Sequence, residues 1–271
     1  SFACKNGITN AFLCSFYRVA TLGSGSGVAA IIYLGEHGIE YGGGFGLYMI
    51  QYALHKISIA LFSVIFFVMN WEFMRNWFGD YAGLLAAGYV LTLVITLGLF
   101  LFCCSNRFHH LICRLLDFAN QKFHGKFEIM AEEIKRQCMM LEDASNHLMK
   151  NKKVTTEVIF LCLLKCCFWY GIPYLLFKGV QFQGNPALSL SQVLAITSLS
   201  VMLAAVIPSP AGIGSTEFVF TTLFAGIVGT GIAGSASLLY RFGTFVFPFL
   251  VGAVVVLVRH FKRKKLSSGS I

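Results

Sequence analysis

Arg18, Lys56, Lys165, Glu217 and Arg241 are charged residues set inside or at the edge of long apolar runs. Lys56, with His55 beside it, lies about eleven residues into its run, which a helical rise places roughly 16 Å deep and near a bilayer midplane. Lys165 sits comparably far into another run. An ammonium at such depth must pair, face water or lose its proton, so both positions are candidate site residues. Arg241 carries a planar fork of donors suited to a phosphate, but it stands only about six residues into the last run, near enough to the end to snorkel outward. Glu217 opens a short run, where its carboxylate can cap the new helix, pair with Arg241 one helix away or receive a cationic group. Arg18, next to a glycine-rich stretch, and Tyr240, next to Arg241, complete the candidate binding set.

Two breaks in the apolar pattern position these residues. Pro208 and Pro210 remove backbone donors and Gly212 and Gly214 permit unusual dihedrals, so the stretch from Ile207 to Glu217 breaks a helix between two runs, each barely long enough to cross a bilayer. Irregular backbone at membrane depth survives only where protein or a water-filled cavity covers it. A second break, Thr21 to Gly27 with Gly23, Gly25 and Gly27, divides the apolar stretch 8–34 into two half-helices.

With 56% hydrophobic and 12% charged residues and a mean hydropathy of +0.72, the chain falls among polytopic membrane proteins. Its net charge of +9 gathers in a central polar segment and in the stretch from Arg259 to Lys265. That is how a membrane protein marks its cytoplasmic side, so nucleic acid is not an expected partner. Cys103, Cys104, Cys162, Cys166 and Cys167 lie inside apolar runs and no CxxC pair occurs, which reads as buried small hydrophobes rather than disulfides or metal ligands. No HExxH, GxSxG or Walker pattern is present, and neither a catalytic constellation, a metal nor a cofactor is expected. The chain opens on Ser1 without a signal-peptide pattern, and a span preceding Ser1 is the expectation from comparing the two halves.

The expected fold class is all-α: a polytopic helical bundle with two broken or re-entrant helix pairs in an internal repeat, forming one integral membrane domain over 1–271. The first half, 1–105, holds the broken pair, a loop from Leu34 to Gly44, a span over 45–70, an aromatic loop with Trp71, Trp77 and Tyr81, and a span over 82–105. Residues 106–153 form a basic connector with amphipathic helices lying on the membrane face or on the bundle. The second half, 154–258, holds a span over 155–181, the short runs 190–207 and 213–229, and a span over 235–258. A basic tail, 259–271, follows. By the positive-inside rule, connector and tail are both expected in the cytoplasm of a multi-pass cell-membrane protein. The short runs read as re-entrant because of their length and the strength of the break. Each half shows a short run, a glycine-rich break, a second short run and then a tyrosine-led basic residue, Tyr52 before His55-Lys56 and Tyr240 before Arg241. Such paired broken helices point to a site at a repeat interface.

Pro208-Ser209-Pro210-Ala211-Gly212-Ile213-Gly214 with Glu217, followed by Leu238-Leu239-Tyr240-Arg241, Pro248 and Gly252, resembles the membrane domain of the lysylphosphatidylglycerol synthase/flippase family, the multiple peptide resistance factors. The family pattern reads roughly Pro-x-Pro-Gly-Gly-x-Gly-x-x-Glu and then Tyr-Arg in the following helix. Here Ala211 replaces the first paired glycine, which costs little unless that position needs a positive φ. The resemblance implies a flippase-like translocator of a modified anionic phospholipid such as lysylphosphatidylglycerol, with a contribution to cationic antimicrobial peptide resistance. Alternatives are a phosphatidylglycerol lysyltransferase or its membrane subunit, a transporter of another lipid-linked substrate, or a scaffold for a synthase. In the family, aminoacyl transfer belongs to a separate soluble domain, which the few residues after Arg259 are expected not to supply. Membrane phospholipid is the expected ligand, and a separate lipid synthase and a second copy of the chain are the partners left open.

Overall fold

The computed structural model describes residues 3–105, 151–179 and 188–268, with scattered positions between 110 and 142. Its helices are α1 (Cys4–Ala20), α2 (Gly25–Gly35), α3 (Tyr41–Met69), α4 (Trp71–Phe78), α5 (Ala82–Cys104), α6 (Lys152–Gly179), α7 (Leu190–Ala204), α8 (Ser215–Val228), α9 (Thr230–Arg241) and α10 (Phe247–Ser268). A π-turn, Phe242–Val246, joins α9 to α10 without interruption, and no strand occurs among the described residues. The chain is thus an all-α polytopic membrane protein. Apart from Lys152 and Lys153, which open α6, most of the expected amphipathic connector lies outside the described residues.

Length separates the helices into two kinds. At 29, 23 and 28 residues, α3, α5 and α6 reach about 43, 34 and 42 Å, and α9 with α10 is longer still, so each exceeds the ~30 Å hydrocarbon core. With 17, 11, 15 and 14 residues, α1, α2, α7 and α8 reach only about 25, 16, 22 and 21 Å. The stretch Pro210–Val228 matches a span in length only by including the turn Pro210–Gly212, where Ala211 at φ +55° kinks the chain.

Contacts trace both short pairs as hairpins that go in and come back. The Phe16 ring of α1 stacks on Phe249 at 5.4 Å, and Arg18 lies 5.4 Å from the Phe245 ring, so α1 runs inward along α10. After the turn at 21–24, α2 returns to Glu36, which pairs with Arg259 toward the end of α10. The second hairpin enters from the opposite face. There Asn70, at the end of α3, donates from Nδ2 to the Ser191 carbonyl at 3.3 Å and accepts from Ser191 Oγ at 3.2 Å. From this edge α7 runs in, α8 runs back to Gly229, and α9 runs in again. The first limb of each hairpin packs on the long helix of the other half, α1 on α10 and α7 on α3.

The core forms around α7 because a helix that ends in hydrocarbon must be covered by protein on every side. Val193, Ala195, Ile196 and Leu199 are fully buried against Phe220 and Phe224 of α8, Phe62 of α3 and Tyr170 of α6. A capping box, Ser189 with Gln192, closes the outer end of α7.

Three details differ from the sequence reading. Trp71 to Phe78 is a helix instead of a loop, with Met74 buried and both tryptophans exposed, because this amphipathic stretch lies along the surface. Gly42, Gly43 and Gly44 belong to the first turn of α3, where Gly44 lets α2 approach through Leu34 and Ile31. The last run starts at Thr230, not 235, since Gly231, Gly234 and the serines nearby continue the helix.

At Gly252, α1 and α10 touch so closely that a Cβ would collide with the Phe12 carbonyl and lie 2.9 Å from Phe16 Cβ. Gly252→Ala should therefore destabilise the fold by about 1–3 kcal/mol through overpacking. Gly98→Ala, at a helical glycine with open space around it, should leave the thermal midpoint in detergent unchanged or higher.

Candidate functional site: a basic cluster where the two breaks meet

Around the second break several of the freed backbone groups find partners. Ala211, Gly212 and Gly214 have φ of +55°, +74° and +85°. This winding presents the Gly212 carbonyl to Thr216 Oγ1, which donates at 3.0 Å, and to Arg241 Nη2, which donates at 3.2 Å. Ser209 and Ser215 hydroxyls meet at 2.6 Å. Glu217 Oε2 accepts the Gly214 N–H at 2.9 Å, and its Oε1 accepts Arg241 Nε at 2.8 Å. Of the three roles open to Glu217, two are thus filled together, the helix cap and the pair with Arg241. Arg241 does not snorkel. Because α9 begins at Thr230, its guanidinium lies inward, 13% exposed and 4.3 Å from the Phe245 ring.

Ala211 requires the positive φ that makes its departure from the family pattern matter. An L side chain in the left-handed region costs about 1–2 kcal/mol, which glycine does not incur.

The first break is built from other parts. Leu22 and Gly23 turn at φ +54° and +114°. Thr21 Oγ1 accepts the Gly25 N–H at 2.6 Å and donates to the Tyr17 carbonyl at 2.7 Å. Gly27 admits the Tyr48 ring, 2.9 Å from where its Cβ would stand, and the Tyr48 hydroxyl meets Ser26 Oγ at 3.2 Å. The two breaks touch: a Cβ on Gly23 would lie 3.5 Å from the Ala211 nitrogen.

Side chains from four helices gather at this meeting point. Arg18 is within electrostatic range of Arg241, Lys56 and Tyr48, and His55 is within range of Lys165, Lys56 and Arg18. The cations rest on aromatic faces: Arg18 and Arg241 share Phe245, Lys56 Nζ lies 5.5 Å from the Tyr52 ring, and Lys165 Nζ lies 4.6 Å from the Trp169 ring. Lys165 stands at the exposed outer edge of the group, on α6. Among the described residues, Glu217 is the only carboxylate paired with any of these cations, and it pairs with Arg241. Arg18 Nε and His55 Nδ1 are buried without a hydrogen-bond partner. Beside Lys56 opens a cleft of about 310 Å³, walled by Ile59, Thr92, Ile95, Val201 and Met202.

The structure therefore brings together Arg18, Lys56, Glu217 and Arg241. Tyr240 goes elsewhere: its buried ring stacks on Phe220 of α8 at 5.5 Å and packs into the apolar core. The prolines and glycines of both breaks act on backbone geometry. Sequence reasoning left out His55, Phe245 and Tyr48 from the site. His55 was flagged by its neighbour Lys56, and Phe245 by its i,i+4 spacing from Arg241, whereas Tyr48 carried no local signal.

Three cations, Arg18, Lys56 and Arg241, and the Glu217 carboxylate thus converge where the two opposed hairpins of this membrane protein meet, with Lys165 at the outer edge. Residues 8–252 match the family model described as the lysylphosphatidylglycerol synthase TM region, and the chain belongs to that family. No curated protein and no solved structure matches the chain.

Ala211→Gly should raise stability by about 1 kcal/mol, read as a higher unfolding midpoint in detergent. Glu217→Gln should lower it by about 1–3 kcal/mol. A double-mutant cycle with Arg241→Gln should return a coupling well above zero, whereas strict additivity would mean that the pair does not fasten the break.

Proposed function

We propose that this chain translocates a modified anionic phospholipid, such as lysylphosphatidylglycerol, between leaflets. The observation that carries the reading is the surplus of interior cations: Arg18 has a buried donor without a partner, and Lys56 rests on an aromatic ring rather than on an acid. A buried unpaired donor is costly, so the site is built for an anion that arrives. The cleft beside Lys56 suits a lipid, since an apolar wall can take acyl chain while the ammonium meets the phosphate.

The second break supplies the other half of the recognition. A phosphate that takes Arg241 releases Glu217 from its pair, and the freed carboxylate then receives the lysyl ammonium of the same headgroup. A lipid carrying both charges exchanges partners with the resident pair, whereas one carrying phosphate alone leaves Glu217 unpaired. Because the hairpins enter from opposite faces, small movements of each open the site to one side or the other. The basic connector and tail would face the cytoplasm. A cationic lipid delivered to the outer leaflet weakens the negative surface that attracts cationic antimicrobial peptides.

Leaflet-specific quenching of labelled lysylphosphatidylglycerol in proteoliposomes tests this. Arg18→Gln and Lys56→Gln should each slow flipping by at least about tenfold relative to the parent. Equal rates in parent, variants and protein-free vesicles would remove the proposal.

A further inference from the structure

Away from the breaks, two cavities open on the face that carries the end of α10. One, of about 520 Å³, lies between α1, α2 and α10, with Leu13, Tyr17, Val28, Ile32 and Val256 in its walls. The other, of about 380 Å³, is bounded by Thr9, Val254, Val255, Val258 and Lys262. Tyr33 and Arg259 line both, so they form the partition between them. The Arg259 guanidinium lies 4.6 Å from the Tyr33 ring and donates from Nη2 to Glu36 Oε2, across the rim. Lys262 lines the second cavity and His260 the first, and Arg259 with Lys262 outnumber Glu36, so the rim carries more positive than negative charge. Both volumes fall in the ~300–1,000 Å³ range of small-ligand sites.

Two apolar cavities flanking one cation match the shape of a diacyl lipid, with one phosphate and two chains. We propose that this rim is a docking site for an anionic diacyl phospholipid, which places its phosphate on Arg259 and one chain in each cavity, and that Glu36 is a latch holding Arg259 until lipid displaces it. The proposal deepens the transport reading and rests on it for its role, as the place where substrate waits before reaching the basic cluster. A phosphate competes well for Arg259 because it offers the same bidentate geometry as the carboxylate with a second positive charge nearby at Lys262. Displacement by lipid removes the Glu36–Arg259 contact between the end of α2 and α10.

The test uses the full chain in nanodiscs containing phosphatidylglycerol with a photoactivatable acyl chain, and the labelled peptides are mapped. The parent should be labelled on both cavity walls, at α1–α2 and at Val254 to Val258. Arg259→Gln should cut both sets of labels by at least about tenfold, and Glu36→Gln should raise them several-fold. Val256→Trp, which fills the larger cavity and leaves Arg259 intact, should remove the α1–α2 labels while keeping the others. Labelling unchanged in Arg259→Gln, lowered in Glu36→Gln, or suppressed equally well by inorganic phosphate and by unlabelled lipid would overturn the proposal. Normal labelling in Arg259→Gln together with slowed flipping in Arg18→Gln removes the docking site and keeps the transport reading; the reverse pair removes transport and keeps a lipid site.

Discussion

A helix that stops inside hydrocarbon leaves unpaired backbone groups that no solvent can satisfy, and the pair between Glu217 and Arg241 is what allows the α7–α8 hairpin to do so. One carboxylate oxygen caps α8 through Gly214, the other holds Arg241, and Arg241 in turn holds the Gly212 carbonyl. The loop is thereby tied to α9 at its deepest point. The buried α7 packs against this anchored helix pair, and the π-turn after α9 sets Phe245 against both guanidiniums.

Among the described residues, the first hairpin has no such pair at its turn. Its turn is closed by Thr21 and the Arg18 carbonyl, while the Arg18 side chain is left to face Phe245 and the neighbouring cations. Aromatic faces lower the cost of burying these charges without using up their donors. Positive charge is thus gathered at the meeting point of the breaks on aromatic faces, with the Arg18 Nε donor buried and unpaired. The two hairpins enter from opposite ends of the bundle, with the Glu36–Arg259 and Asn70–Ser191 contacts standing at those two ends.

Much of this arrangement was legible in the sequence wherever local chemistry decides it. Pro208, Pro210 and Gly214 announce the second break, and Gly23 to Gly27 announce the first, because few residue types tolerate such turns. The pairing of Glu217 with Arg241 was foreseeable from their separation by one helix. The depth of Arg241 was not, because Gly231 and Gly234 resemble a loop in composition yet lie inside α9. Likewise Ala211 looked harmless until its φ was fixed by the turn, and Tyr240 beside Arg241 looked like a site residue although a helix turns neighbours about 100° apart. The contact of Gly23 with Ala211, and the convergence of His55, Lys56 and Arg18, join residues far apart in the chain, which spacing alone does not reveal.

The central claim is that the cations at the meeting of the breaks receive the phosphate of a lipid. Phosphorus–nitrogen dipolar recoupling NMR on the full chain in lysylphosphatidylglycerol bilayers, with isotope-labelled arginine side chains, measures that contact directly. The account predicts strong dephasing in the parent that falls sharply in Arg18→Gln while Arg259→Gln retains a substantial part. Dephasing in Arg18→Gln equal to that of the parent would contradict it.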